Sequence, residues 1–280
     1  MSDDDNHGTS PQIDARILVE SAATVPSREG LRILVTNDDG IDSPGIVQLV
    51  AALERDYDVT VAAPSRDWSG AGTSIGRFDA RAGIPMQRVE LGSSRAFAID
   101  GPPGLAVMAA ALGAFGGRFD VVVSGINAGI NTGHSVIHSG TVGAALTART
   151  FGSHGVALSL VPSDPWCWST AAEIGRSAVR WITAAERPAT TISINVPNLA
   201  IADVRGLRHA ELDDFGYFRV ATLDETGQKL EFEVLSEHDT PPEGSDTWLL
   251  RQGYATITAL GQLTGTKEGL PGDLSEIWGA

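Results

Sequence analysis

Cysteine is almost missing: the 280 residues hold one, Cys167. A lone thiol cannot close an internal disulfide or build a Cys-based zinc site. Its default role is that of a small packed side chain. Positive charge is scarce too. Twenty Lys and Arg stand against 35 Asp and Glu, a formal net charge of −15. Binding a nucleic-acid backbone takes basic patches, so no nucleic-acid polymer is expected as a partner. A small phosphate ligand survives that exclusion, because a bound metal reverses the local sign. No apolar run reaches the ~20 residues that cross a bilayer. Residues 1–29 begin Met-Ser-Asp-Asp-Asp-Asn-His and carry no basic segment ahead of an apolar core, so they are not a secretory signal. They read as a disordered acidic extension. No membrane contact is expected, and a cytoplasmic location is. Gly-x-Gly-x-x-Gly and Gly-Lys-Ser/Thr are also absent, which weakens dinucleotide-binding and P-loop readings.

What is present is an alternation of buried strands and amphipathic helices. The hydrophobic share, 42%, lies in the globular range. Residues 31–45 set the pattern: an apolar run, Ile33 to Val35, stops at Asn37-Asp38-Asp39-Gly40, and Pro44 opens a helix through Ile46, Leu49, Val50 and Leu53. Residues 58–64 form a second buried strand, closed by Pro64, and complete a right-handed βαβ unit. Short strands are expected across 78–99, an Ala-rich helix over 105–115, a strand at 121–123, and a helix over 142–151. Further strands follow at 156–160 and 190–196, flanking a helix over 168–185. The sum is an α/β protein: a Rossmann-like, doubly wound, mostly parallel sheet spanning 30–200. After residue 198 the texture changes to β-segments at 204–212, 217–221, 229–235 and 254–260, with a Pro/Gly-rich loop at 239–246. Residues 201–280 are expected to form a smaller β-rich extension and tail serving oligomerisation, since hairpins of this size are marginal alone.

In open α/β sheets, ligands bind beyond the carboxyl ends of the strands. Three such ends carry polar loops: Asn37-Asp38-Asp39-Gly40, Ser69-Gly70, and Ser124-Gly125-Ile126-Asn127-Ala128-Gly129. They bring carboxylates, a hydroxyl and an amide oxygen toward one edge. Two adjacent carboxylates repel unless a cation or a shared proton relieves them, and hard oxygen ligands suit Mg²⁺ or Mn²⁺. Asp38-Asp39-Gly40 also fits an ordinary polar turn. Ser139-Gly140-Thr141 precedes a helix, where it serves as a plain N-cap or as an anion site at the helix amides.

These motifs resemble the SurE survival-protein phosphatases, a family of 5′/3′-nucleotidases. The resemblance rests on 33–46, on Ala63-Pro64 with Ser69-Gly70-Ala71, on 121–129, and on 139–142. Ile194-Asn195-Val196-Pro197 and Gly253-Tyr254 with a Thr-Ile-Thr strand add to it. It implies one divalent cation per subunit, Mg²⁺ or Mn²⁺, held by Asp38, Asp39, Ser69 and Asn127. Asp38, Asp39 and Asn127 would carry catalysis, Ser139, Gly140 and Thr141 would receive phosphate, and Asn37 would support or face it. A homodimer or homotetramer is implied as well. The implied activity is hydrolysis of nucleoside 5′- and 3′-monophosphates to nucleoside and phosphate.

The chain departs from the family pattern at Gly133-His134, at Gly101-Pro102-Pro103 with Gly104-Leu105-Ala106, and after Thr258. A phosphatase specialised for another phosphorylated metabolite, or a non-catalytic ligand-binding module, is the alternative. A haloacid-dehalogenase-type phosphatase would need Asp-x-Asp at the first strand, and this chain has Asn37-Asp38-Asp39. His134 and His138 are candidate proton donors to a leaving group or ordinary loop histidines. Asp246 matches an acidic rim position. Trp68 is placed to stack on a substrate ring or to anchor the fold. Asp42 and Asp100 read as capping or turn residues.

Overall fold

The first buried run forms β1 (Arg32–Thr36), and its burial from Ile33 to Thr36 marks a strand covered on both faces. The computed structural model describes residues 30–265, except 78, 80, 185–187, 215–217, 224, 225, 227, 235–239 and 262. Residues 1–29, read above as a disordered extension, lie outside them.

Pro44 opens α1 (Pro44–Leu53), its fixed φ suited to a first helical turn that needs no N–H. The chain then runs through β2 (Asp58–Pro64), the antiparallel pair β3 (Met86–Leu91) and β4 (Ser94–Ile99), and α2 (Pro103–Ala111). Next come β5 (Val121–Asn127), a 3-10 turn at Gly133–His138, α3 (Gly140–Thr150), β6 (His154–Leu160), α4 (Trp168–Thr183) and β7 (Thr191–Val196). The remainder adds β8 (Leu207–His209), β9 (Phe218–Leu223), β10 (Leu230–Val234), α5 (Asp246–Arg251) and β11 (Ala255–Leu260).

Nine strands form one sheet in the order β3-β4-β2-β1-β5-β6-β7-β11-β8. From β4 to β7 all neighbours are parallel. Alternation along β1 splits the core. Ile33 and Val35 face α1 and α4, in a cluster with Ile46, Leu49, Leu53, Ile174 and Ile182. Leu34 faces the other way, with Val122, Leu105, Ala106, Ala144 and Ala148 of β5, α2 and α3. The sheet is therefore doubly wound, as the strand–helix alternation predicts. Because β2 lies on one side of β1 and β5 on the other, the chain reverses direction between β1 and β5. That crevice is where such sheets bind ligands.

Several boundaries differ from the sequence reading. The helix expected over 105–115 is α2, ending at Ala111; Gly113, Gly116 and Gly117 beyond it adopt positive φ, which stops helix propagation. The helix expected from 142 begins at Gly140, capped by Ser139. In the β-rich part, the segment expected over 204–212 is only the three-residue β8. A short helix, α5, starts at the end of the expected 239–246 loop, with Ser245 Oγ accepting from Trp248 N at 3.2 Å. β11 runs antiparallel to β7, and β8 parallel to β11, so both extend the main sheet. Among the described residues, β9 and β10 alone form a separate sheet. Tyr217 and Leu235, expected in flanking strands, lie outside the described residues.

Candidate active site

The ends of β1 and β5 and the start of α3 meet at one point. Thr36 pairs with Ser124 across the two strands, so the residues that follow each strand emerge side by side. Asp38 is buried, 3% exposed. The Thr141 hydroxyl donates to its Oδ1 and lies 3.3 Å from Asn127 Oδ1. Gly140 abuts the same carboxylate: a Cβ there would sit 2.8 Å from Asp38 Cβ and Oδ2. Glycine at the head of α3 is what lets the helix N-terminus approach Asp38. Asp39 is half-buried, and its Oδ2 accepts from Ala128 N at 3.3 Å. Asn127 Nδ2 donates to Gly129 O at 2.8 Å, leaving Oδ1 toward Thr141.

Asn37 is fully buried. Its Nδ2 donates to Gly40 O at 2.8 Å and to Ser43 Oγ at 2.7 Å. Gly40 O only accepts, so the amide orientation is fixed. Both donors are thus spent, and the buried Oδ1 has no partner. Asn37 therefore presents an acceptor, which suits a cation or a donor and not an ionised phosphate oxygen.

Ser69 enters on the loop after β2, tied in by Trp68 N donating to Asp38 O at 2.8 Å. Its side chain is exposed, and its Oγ donates to Asp67 Oδ1 at 2.7 Å. Gly72 closes the loop, its N–H donating to His138 O at 3.0 Å. Ser139 Oγ caps α3 by accepting from Val142 N at 3.1 Å. The amides of Gly140 and Thr141 are the first of that helix, where no intrahelical acceptor exists. Of the further candidates, His134 and His138 are exposed. Trp68 is half-buried under the Arg66 guanidinium, 4.7 Å from its ring centroid. Asp42 is exposed, and Asp100 pairs with Arg66 at 3.7 Å.

Burial raises the carboxyl pKa of Asp38, with Asp67 adding repulsion and the Thr141 hydroxyl working against it. Burial, then the Asp38 charge, pushes Asp39 up to about 6. No basic side chain among the described residues neutralises this pair. Among those residues, no three His, Cys, Asp or Glu side chains cluster as a metal site. A cation here would draw on two carboxylates and neutral oxygens. Two repelling carboxylates, the Asn127 amide oxygen and the Ser69 hydroxyl are hard oxygen donors, which suit Mg²⁺ or Mn²⁺.

Two residues gain roles that sequence reasoning missed. Asp67 is a third carboxylate close enough to act on the pair, and Asp-x-Ser, with Oδ1 accepting from Ser69 N at 2.7 Å, was its only local signal. Asp246 spends its carboxylate on neighbouring N–H groups. It is 1% exposed, and its Oδ1 accepts from Asp213 N at 2.9 Å and Thr247 N at 2.8 Å, its Oδ2 from Gly133 N at 2.9 Å. It clamps the loop leading to Ser139 onto the C-terminal part. Its pKa is raised by burial, against the pull of those three N–H groups.

The model of the survival protein SurE family matches residues 33–217, from β1 to beyond β8. A protein named 5′-nucleotidase SurE from Marinomonas sp. (strain MWYL1) is 35% identical over 237 residues, covering 82% of this chain and 91% of that protein. Its namesake from Alkalilimnicola ehrlichii is 36% identical over 235 residues, covering 82% and 89%. Among solved structures, the SurE protein from Aquifex aeolicus aligns with a TM-score of 0.70 at 29% identity, covering 84% of this chain and 95% of that one. With the Asn-Asp-Asp-Gly and Ser-Gly-Ile-Asn-Ala-Gly loops meeting at the β1–β5 crevice of the matched region, the chain belongs to the survival protein SurE family.

Proposed function

We propose that the chain is a divalent-metal-dependent phosphomonoesterase acting on nucleoside 5′- and 3′-monophosphates. The names of its relatives support the 5′ reaction. The observation that carries the reading is the meeting of Asp38, Asn127 Oδ1 and the Thr141 hydroxyl at the N-terminus of α3. That arrangement sets acceptors for a cation beside donors for an anion, which is what a phosphomonoester demands.

Asp38, Asp39, Ser69 and Asn127 would hold the cation, which when bound polarises a phosphoryl oxygen and lowers the pKa of water. The amides of Gly140 and Thr141 would receive phosphoryl oxygens and stabilise charge that develops on them. The Thr141 hydroxyl is engaged by Asp38, so Thr141 would serve phosphate through its amide and Asp38 through its side chain. Asp38 is buried and held; Asp39 is half-buried and so would be the carboxylate open to a water in the crevice. A homodimer or homotetramer is part of the same proposal.

The test is phosphate release by metal-stripped protein with Mn²⁺ or Mg²⁺ added back. Turnover strongest on mononucleotides is expected, above that on sugar phosphates and an aryl phosphate. Asp39→Asn should lose most of it, on the order of 10²-fold or more. Wild-type turnover by Asp39→Asn with Mn²⁺ would overturn the assignment.

A further inference from the structure

Of the four residues proposed to hold the cation, Ser69 is the least constrained by its own chemistry. Its oxygen is neutral, its side chain is exposed, and it sits on the loop after β2, away from the strand ends that carry Asp38, Asp39 and Asn127. A hydroxyl has one proton and two acceptor lone pairs. Left free it rotates, and a proton turned toward a cation repels it. Ser69 can serve a cation only when another acceptor takes up its O–H.

Asp67 is placed to be that acceptor. A single oxygen, Oδ1, accepts from Ser69 Oγ at 2.7 Å and from Ser69 N at 2.7 Å. The two bonds close an Asx turn that fixes the backbone of Ser69 together with the direction of its O–H. Trp68, between them, ties the turn to the centre, its N–H donating to Asp38 O at 2.8 Å. Arg66, the neighbouring cation, is engaged by Asp100 at 3.7 Å and by the Trp68 ring at 4.7 Å. The Asp67 charge is therefore felt at the centre, where it acts on both Asp38 and Asp39. We propose that Asp67 is a positioning residue for the cation: it accepts the Ser69 O–H, so that the lone pairs of Ser69 Oγ are left for the cation, and does not touch the cation itself. Removing an outer partner of a metal ligand typically costs about 10–100-fold in affinity. This inference rests on the metal-dependent phosphomonoesterase reading.

Mn²⁺ binding to metal-stripped protein, read from the loss of the free-ion EPR signal, tests this without any turnover. Salt at about 0.5 M screens exposed charges from one another beyond a few ångströms, so what remains is the hydrogen-bonded effect. Asp67→Ala should then weaken Mn²⁺ binding by about 10–100-fold. Asp67→Asn keeps a carbonyl oxygen for both Ser69 donors and should stay within about threefold of wild type. Ser69→Ala should cost about as much as Asp67→Ala, and adding Asp67→Ala to it should cost less than about threefold more, because the effect runs through Ser69. Both side chains are exposed, so the metal-free melting temperatures should stay within a few degrees of wild type, which checks folding. The inference falls if Asp67→Asn binds as weakly as Asp67→Ala, if Asp67→Ala costs the same with and without the Ser69 hydroxyl, or if Asp67→Ala binds like wild type. A wild type that binds no Mn²⁺ would overturn it together with the metal-dependent reading. The full pattern of affinities in a protein that releases no phosphate from any ester would leave the role of Asp67 standing and overturn the phosphomonoesterase reading alone.

Discussion

Gly140 is a residue whose side chain would act entirely through a neighbour. Replacing a glycine in a helix by alanine ordinarily stabilises by about 0.5–1 kcal/mol. Here the new Cβ would stand 2.8 Å from Asp38 Cβ and Oδ2, and Asp38, buried and bonded to Thr141, has nowhere to go. Gly140→Ala should therefore lower kcat/KM by about 10²-fold, the order of loss expected from a misplacement near 1 Å. Its melting temperature should stay within a few degrees of wild type. Full activity in a folded Gly140→Ala would show that the approach of α3 to Asp38 does not matter. Asp246 poses the opposite case, a carboxylate that acts chiefly on backbone N–H groups. Asp246→Ala strands the N–H groups of Gly133, Asp213 and Thr247. The expected destabilisation is ~2–4 kcal/mol, read by urea unfolding. KM for phosphate esters should rise as the loop before Ser139 loosens, and an unchanged KM would count against the clamp.

At the level of elements, α1 and α4 are joined outside the apolar core by a charged cluster. Asp56, just past α1, has Oδ2 at 2.6 Å from Arg176 Nη1 and 2.7 Å from Arg180 Nη2. Glu173 binds Arg176 at 3.0 Å and also Arg55. Burial pushes the Asp56 pKa up, but the two guanidinium groups outweigh it and hold the carboxyl below its ordinary value. A carboxylate with a depressed folded pKa contributes stability above its unfolded pKa of about 3.9, and loses it as pH falls through the folded value. Asp56→Asn should therefore cost about 1–2 kcal/mol at pH 7, with the gap to wild type closing below pH ~4. A gap that persists at low pH would assign the cost to packing.

The same scale explains what was legible in the sequence. β1, α1, β2 and β5 were readable because their apolar periodicity is local and Pro44 and Pro64 punctuate it. So were the loops that carry Asp38, Asp39 and Asn127. The placement of β11 and β8 at the edge of the main sheet was not readable, because pairing between β7 and β11 joins segments about 60 residues apart and leaves no local trace. α5 was hidden by its length, since six residues cannot display a helical period. Asp246 was visible as an acidic position, but the N–H groups that donate to it from Gly133 and Asp213 lie on two distant loops, so its task as a backbone clamp could be seen only in the fold.

For the molecule as a whole, the antiparallel pair β9–β10 is the part least explained by a single subunit. It makes a two-stranded sheet of its own, and such hairpins are marginal in water. Leu230, which opens β10, is 66% exposed, an arrangement that burial against another chain would relieve. The proposed homodimer or homotetramer gives the hairpin a surface to pack on. Light scattering at micromolar concentration should then give two or four times the chain mass. Replacing residues 218–234 with a short Gly/Ser linker should lower that mass, while the crevice between β1 and β5, built from other elements, should keep metal-dependent turnover of a small aryl phosphate. An assembly unchanged by the replacement would place the subunit contact elsewhere. A full-length monomer would remove the reason for an exposed Leu230, and would leave the hairpin to be explained by contacts within one chain.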